Sequence, residues 1–86
     1  MHELSLVASL CERAEAVALA EGAERVTGIS VRLGALSHLS ADHLREHLEL
    51  ATAGSMLEGA RVDVTTDTDP SAPQAQDIEL LSIEVV

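Results

Sequence analysis

The stretch Arg25-Val26-Thr27-Gly28-Ile29-Ser30-Val31-Arg32-Leu33-Gly34 changes the period of the chain. Thr27, Ile29, Val31 and Leu33 share one face, and Val26, Gly28, Ser30 and Arg32 share the other. A period of two is that of a strand buried on one side. The segments flanking it repeat every three or four residues instead, so the apolar face of this strand is expected to lie under a helix layer. Gly34 ends it.

Upstream, residues 3–20 read as a helix. Val7, Leu10, Cys11, Ala14, Val17 and Ala18 form its apolar stripe, and Gly22 is the stop signal. Downstream, Ser40 is an N-cap candidate for a second helix over residues 41–53, with Asp42 in the first turn, where the helix dipole favours an anion. Ala41, Leu44, Leu48 and Ala51 form its buried stripe, and Gly54 closes it at C′. Residues 61–66 alternate again around Val62 and Val64. A polar linker with Pro70 and Pro73 occupies 67–77, and 78–86 form a last strand. Leu80 and Leu81, side by side, require a bulge or burial on both faces. The order α-β-α-β-β gives a single α+β domain over residues 1–86: two helices packed on a small, mainly antiparallel three-stranded sheet.

Composition narrows the function. The 86 residues hold 15 acids against five basic residues, all Arg, for a formal charge of −10, and include no Phe, Tyr or Trp. Such a chain repels polyphosphate and anionic membranes and lacks aromatic platforms for base stacking, so neither nucleic acid nor membrane is an expected partner. No run approaches the roughly 18 apolar residues of a membrane span, and no basic n-region precedes an apolar stretch, so a soluble cytoplasmic protein is expected. The lone cysteine, Cys11, excludes an internal disulfide and a thiolate-rich zinc site, and its place in the helix stripe makes it a small core residue.

The chemistry-bearing residues are histidines. His2 follows the α-amine of Met1, a methionine expected to be retained because its neighbour is bulky. Amine, imidazole and the peptide nitrogens of His2 and Glu3 can wrap one cation in fused chelate rings, and four coplanar nitrogens suit Ni(II) or Cu(II). The bland alternative is an exposed, frayed terminus. His43 and His47, four apart on the second helix, could reach one metal, but Leu44 stands where zinc proteases carry their Glu base, and solvated surface imidazoles are the simpler reading. His38, in the preceding loop, is a weaker candidate, as is Asp42. No phosphate loop, Gly-x-Ser-x-Gly elbow or acid/base pair is present; Asp67 and Asp69 read as solvating charge in the linker. An enzyme is not expected.

Four blocks together resemble the HypA family of nickel metallochaperones: Met1-His2-Glu3-Leu4-Ser5, Val31-Arg32-Leu33-Gly34-Ala35-Leu36-Ser37, Gly54-Ser55-Met56-Leu57-Glu58-Gly59-Ala60 and Glu79-Leu80-Leu81-Ser82-Ile83-Glu84. The resemblance implies Ni(II) held by Met1, His2 and Glu3 and delivered to the large subunit of [NiFe]-hydrogenase, in concert with a HypB-type GTPase and, in some members, with urease accessory proteins. An acidic contact used by some members falls near Ser40, where Asp42 or His38 would have to replace it. Family members carry a zinc domain with two Cys-x-x-Cys pairs between the last two strands. Here residues 67–77 stand in its place without cysteine, so no structural zinc is expected. The two strands it joins are expected as an antiparallel pair. A second reading, from another class, is a metal-free HypA-like module that docks on the GTPase or a hydrogenase subunit through its acidic surface, with self-association through edge strands.

Overall fold

The computed structural model describes residues 2–35, 37, 39–73, 75 and 77–86; the side chains of residues 2–4 lie outside that description. Its elements are α1 His2–Ala20, β1 Val26–Leu33, α2 Ala41–Thr52, β2 Arg61–Thr66 and β3 Ile78–Val85. The sequence order is therefore the observed order, and the described residues of 67–77 form neither helix nor strand.

The helix ends are set by the residues expected to set them. After α1, Ala23 N–H bonds to Ala18 C=O and Gly22 N–H to Leu19 C=O, both at 3.0 Å, with Gly22 at φ +70°. That paired closure is a Schellman motif, and only glycine occupies its left-handed position without strain. Ser40, with extended backbone, accepts the His43 N–H at 3.1 Å and starts α2. Gly54, at φ +80°, ends it.

β1 is the central strand of a mixed sheet ordered β2-β1-β3, parallel to β2 and antiparallel to β3. The expected pairing of the last two strands is thus corrected: β2 and β3 are not neighbours. The reason is the helix between β1 and β2. A helical crossover returns the chain to the same end of the sheet, so β2 runs parallel to β1, and the outer position beside β1 is left for β3. The linker then crosses the end of β1, pinned there by Gly34 N–H to Asp77 C=O at 2.9 Å and Asp67 N–H to Leu33 C=O at 2.8 Å. The central position goes to the strand with the most to bury: Val26, Ile29, Val31 and Leu33 are each at most 2% exposed.

Two register shifts in the β1–β3 pairing alter which residues face inward. One lies between Val26 and Gly28, so Val26 is buried and Thr27 exposed, reversing the expected assignment of that pair. The other skips Leu81, which is exposed beside half-buried Leu80, so the double leucine is explained by a bulge. Two further positions differ from expectation. Val17 lies at the margin of the α1 stripe centred on Ala14 and Ala18 and is 41% exposed. On α2, Thr52 rather than Ala51 is buried, its hydroxyl donating to Leu48 C=O at 2.7 Å so that no polar group is stranded.

Helices α1 and α2 cover one face of the sheet, with Val7, Leu10, Ala14, Ala18, Leu44 and Leu48 packed against the inward residues of β1. The other face is laced by ion pairs. Arg61 reaches across Gly28 from Asp63 to Glu84, 2.9 and 2.7 Å away, and a Cβ on Gly28 would sit 3.0 Å from its guanidinium. Arg32 joins Asp67 to Glu79 at 2.7 and 2.6 Å, tying the start of the linker to β3.

Candidate metal centre

Topology brings the starts of α1 and α2 to one end of the molecule. A five-residue connection turns α1 back onto β1, so the two run in opposite directions. The 19 residues of α1 span about 28 Å and the eight of β1 about 26 Å. The first turn of α1 therefore lies level with the end of β1, where Leu33 pairs with both Thr66 and Ile78. α2 starts from the same end, after the loop that follows Leu33, and brings Asp42 and His43 in its first turn.

The backbone is suited to ligation. α1 begins at His2, one residue earlier than the periodicity indicated. The N–H groups of His2 and Glu3 thus belong to the first turn, whose donors have no intrahelical acceptor, and removing their protons breaks no helix hydrogen bond. Met1 and His38, two of the expected ligands, lie outside the described residues, as do the side chains of His2 and Glu3.

The other expected residues are placed as follows. Asp42 is almost fully exposed and pairs with Arg45 at 3.3 Å, which also bonds to Val62 C=O and ties α2 to β2. Its carboxylate therefore turns toward the arginine. His43 and His47 are brought together, ring centroids 4.6 Å apart and planes at 72°. His43 is exposed, whereas His47 is half-buried with its Nδ1 enclosed and unpartnered among the described residues. Among those residues no group of three or more His, Cys, Asp and Glu is placed to hold a metal. Cys11 is half-buried, and burial, with the nearby Glu15 charge, pushes its thiol pKa up. The thiolate is disfavoured there, which suits a packing role.

Sequence reasoning missed two features. One is an open groove of about 600 Å³ between α2 and the start of β2, lined by Leu48, Thr52, Leu57, Ala60 and Val62. Only Thr52, a polar residue at helical spacing from Leu48, hinted at it. The other is the use of the linker carboxylates. Asp67 holds Arg32, and Asp69 accepts both the N–H and the hydroxyl of Ser71, which hold its pKa below the usual carboxylate value. They are turn caps and ion-pair partners. The cap on α2 has a measurable weight: Ser40→Ala is expected to lower stability by about 0.5–2 kcal/mol, read as a lower thermal midpoint by circular dichroism.

The chain matches the HypA family model, described as hydrogenase/urease nickel incorporation, metallochaperone, over residues 1–71. The hydrogenase maturation factor HypA of Roseiflexus sp. strain RS-1 is 47% identical over 64 residues, which are 74% of this chain and 52% of that relative. The HypA of Methanopyrus kandleri is 39% identical over 64 residues, 74% of this chain and 45% of the relative. The chain thus spans about half the length of these curated relatives. The solution structure of the nickel metallochaperone HypA from Helicobacter pylori superposes with a TM-score of 0.80 at 19% identity, covering 98% of this chain and 97% of that one. A second HypA solution structure gives 0.76 at 21% identity, covering 100% and 97%. At that identity the structures show a shared fold, which extends to β3, whereas the family match ends within the linker.

Proposed function

Since this chain belongs to the HypA family, we propose that it carries Ni(II) at its N-terminus and hands it on for the maturation of [NiFe]-hydrogenase. Nickel is the cargo. The α-amine of Met1, the imidazole and peptide nitrogen of His2 and the peptide nitrogen of Glu3 supply four nitrogens, the set that suits a square-planar d-block ion. The observation that carries the reading is the start of α1 at His2, which leaves those two peptide nitrogens without helical partners. A formal charge of −10 favours the approach of a cation. Release to a partner calls for micromolar affinity, about 8 kcal/mol. Copper binds such a donor set at least as well, so discrimination falls to partner and supply.

Binding replaces protons on the peptide nitrogens and, below its pKa, on the amine. The complex therefore holds fewer protons than the free protein, and affinity rises with pH. With the two peptide protons leaving, the expected gain is roughly 100-fold per pH unit. A nickel titration of the chain with an authentic, unblocked Met1 at a series of pH values reads this directly, because without Phe, Tyr or Trp the metal–nitrogen absorbance stands clear. A titration showing no saturable one-to-one band at pH 8 would remove the carrier reading. It would leave the metal-free module, whose sign is capture of a HypB-type GTPase or a hydrogenase large subunit by the His2→Ala chain.

A further inference from the structure

We propose that His43 and His47 form a second, open metal site on α2, taking a borderline divalent cation of the Ni(II), Cu(II) or Zn(II) class through two imidazole nitrogens. Three observations converge on it. The rings stand one helical turn apart on the same side of α2, and their centroids are 4.6 Å apart. With metal–nitrogen bonds of about 2.0–2.1 Å, two imidazoles bound at right angles to one ion place their centroids about 4.5 Å apart, so the spacing of the pair is compatible with a shared ion once the two ring nitrogens turn toward it. Finally, α2 carries Asp42, Glu46 and Glu49 against Arg45 alone, a local field that draws cations.

The details set the strength. With Nδ1 of His47 enclosed, Nε2 is the nitrogen left to coordinate, and the imidazole proton then resides on Nδ1, which has no acceptor among the described residues. Metal-bound histidines ordinarily give that second N–H to an acceptor, and loss of the partner costs roughly 10–100-fold in affinity. No third His, Cys, Asp or Glu joins the pair among the described residues, so the proposed site is a two-imidazole site open to water. The site is therefore weak and exchangeable, suited to passing an ion along and unsuited to storing one. It stands on the geometry of α2 alone. Its use as a station for nickel at the end of the fold where α1 begins rests on the carrier reading.

The test uses the full chain with His2→Ala, which removes the N-terminal imidazole, titrated with Ni(II) by calorimetry and by thermal unfolding. The expected result is one equivalent bound at tens to hundreds of micromolar, with a saturable rise in the unfolding midpoint, and loss of both when His43→Ala is added. His43 is exposed, so that substitution keeps the fold intact even where His47→Ala does not. Unchanged nickel binding in the His2→Ala/His43→Ala chain, or no weak equivalent in the His2→Ala chain, overturns the site. If the wild-type and His2→Ala chains bind alike and both lose nickel with His43→Ala, the second site stands and the N-terminal carrier reading fails.

Discussion

His2→Ala is expected to weaken tight nickel binding by at least about 100-fold, close to 3 kcal/mol, while the unfolding midpoint stays where it was. The imidazole closes one of the fused chelate rings, and without it the amine and peptide nitrogens must hold the ion as any short peptide terminus would. One added residue before Met1 is expected to have an effect of similar size by a different route, since it moves the amine out of chelating distance from His2 while leaving the imidazole in place. The two variants alter different donors, so a common loss argues for a site that uses both. Calorimetry at pH 8 gives the affinities, and far-ultraviolet circular dichroism gives the fold. Unchanged affinity in either variant defeats the N-terminal site. What remains in the His2→Ala chain is the weak equivalent assigned to His43 and His47.

The largest effect on stability is expected from Leu44→Ala. Leu44 is fully enclosed at the centre of the α2 stripe, where α2 meets the core. Truncation removes buried methyl groups and leaves a cavity in a close-packed core, at a cost of about 2–5 kcal/mol. For a domain of this length the whole folding free energy is of order 5 kcal/mol or somewhat more, so the variant is expected to be partly or wholly unfolded at 37 °C. Leu50→Ala is the control. Leu50 is on the same helix but 79% exposed, and its loss is expected to change stability by no more than about 0.5 kcal/mol. Urea unfolding followed by circular dichroism serves for both, since the chain has no Trp to report by fluorescence. A loss below about 1 kcal/mol for Leu44→Ala would contradict the packing of α2 described here.

The two proposed histidine sites were legible to different degrees. Chemistry at the N-terminus is a matter of covalent adjacency: amine, peptide nitrogen and imidazole follow one another whatever the rest of the chain does, so Met1-His2-Glu3 stood out as a candidate donor set, and the resemblance carried by the four sequence blocks placed it ahead of a frayed terminus. His43 and His47 were readable only as a spacing. Whether the spacing yields a usable pair depends on how each ring is turned, and that is fixed by the core against which α2 is packed. The surroundings of His47 Nδ1 belong to the same class of fact. So does the pairing of Asp42 with Arg45.

By itself the sequence determined the local features. It set where each helix and strand lies, through the periods of 3.6 and two. It set where the helices stop, through Gly22 and Gly54, and how α2 starts, through Ser40. Each of these is decided within a few residues of backbone hydrogen bonding and side-chain alternation. Tertiary structure decided what depends on distant partners: β1 at the centre with β2 and β3 on either side, the bulges that expose Thr27 and Leu81, and the burial of Thr52 in place of Ala51. A strand's alternation states which face is apolar but not which neighbour it will pair with. That choice follows from the direction in which α2 returns the chain and from the greater apolar burial open to β1 between two strands.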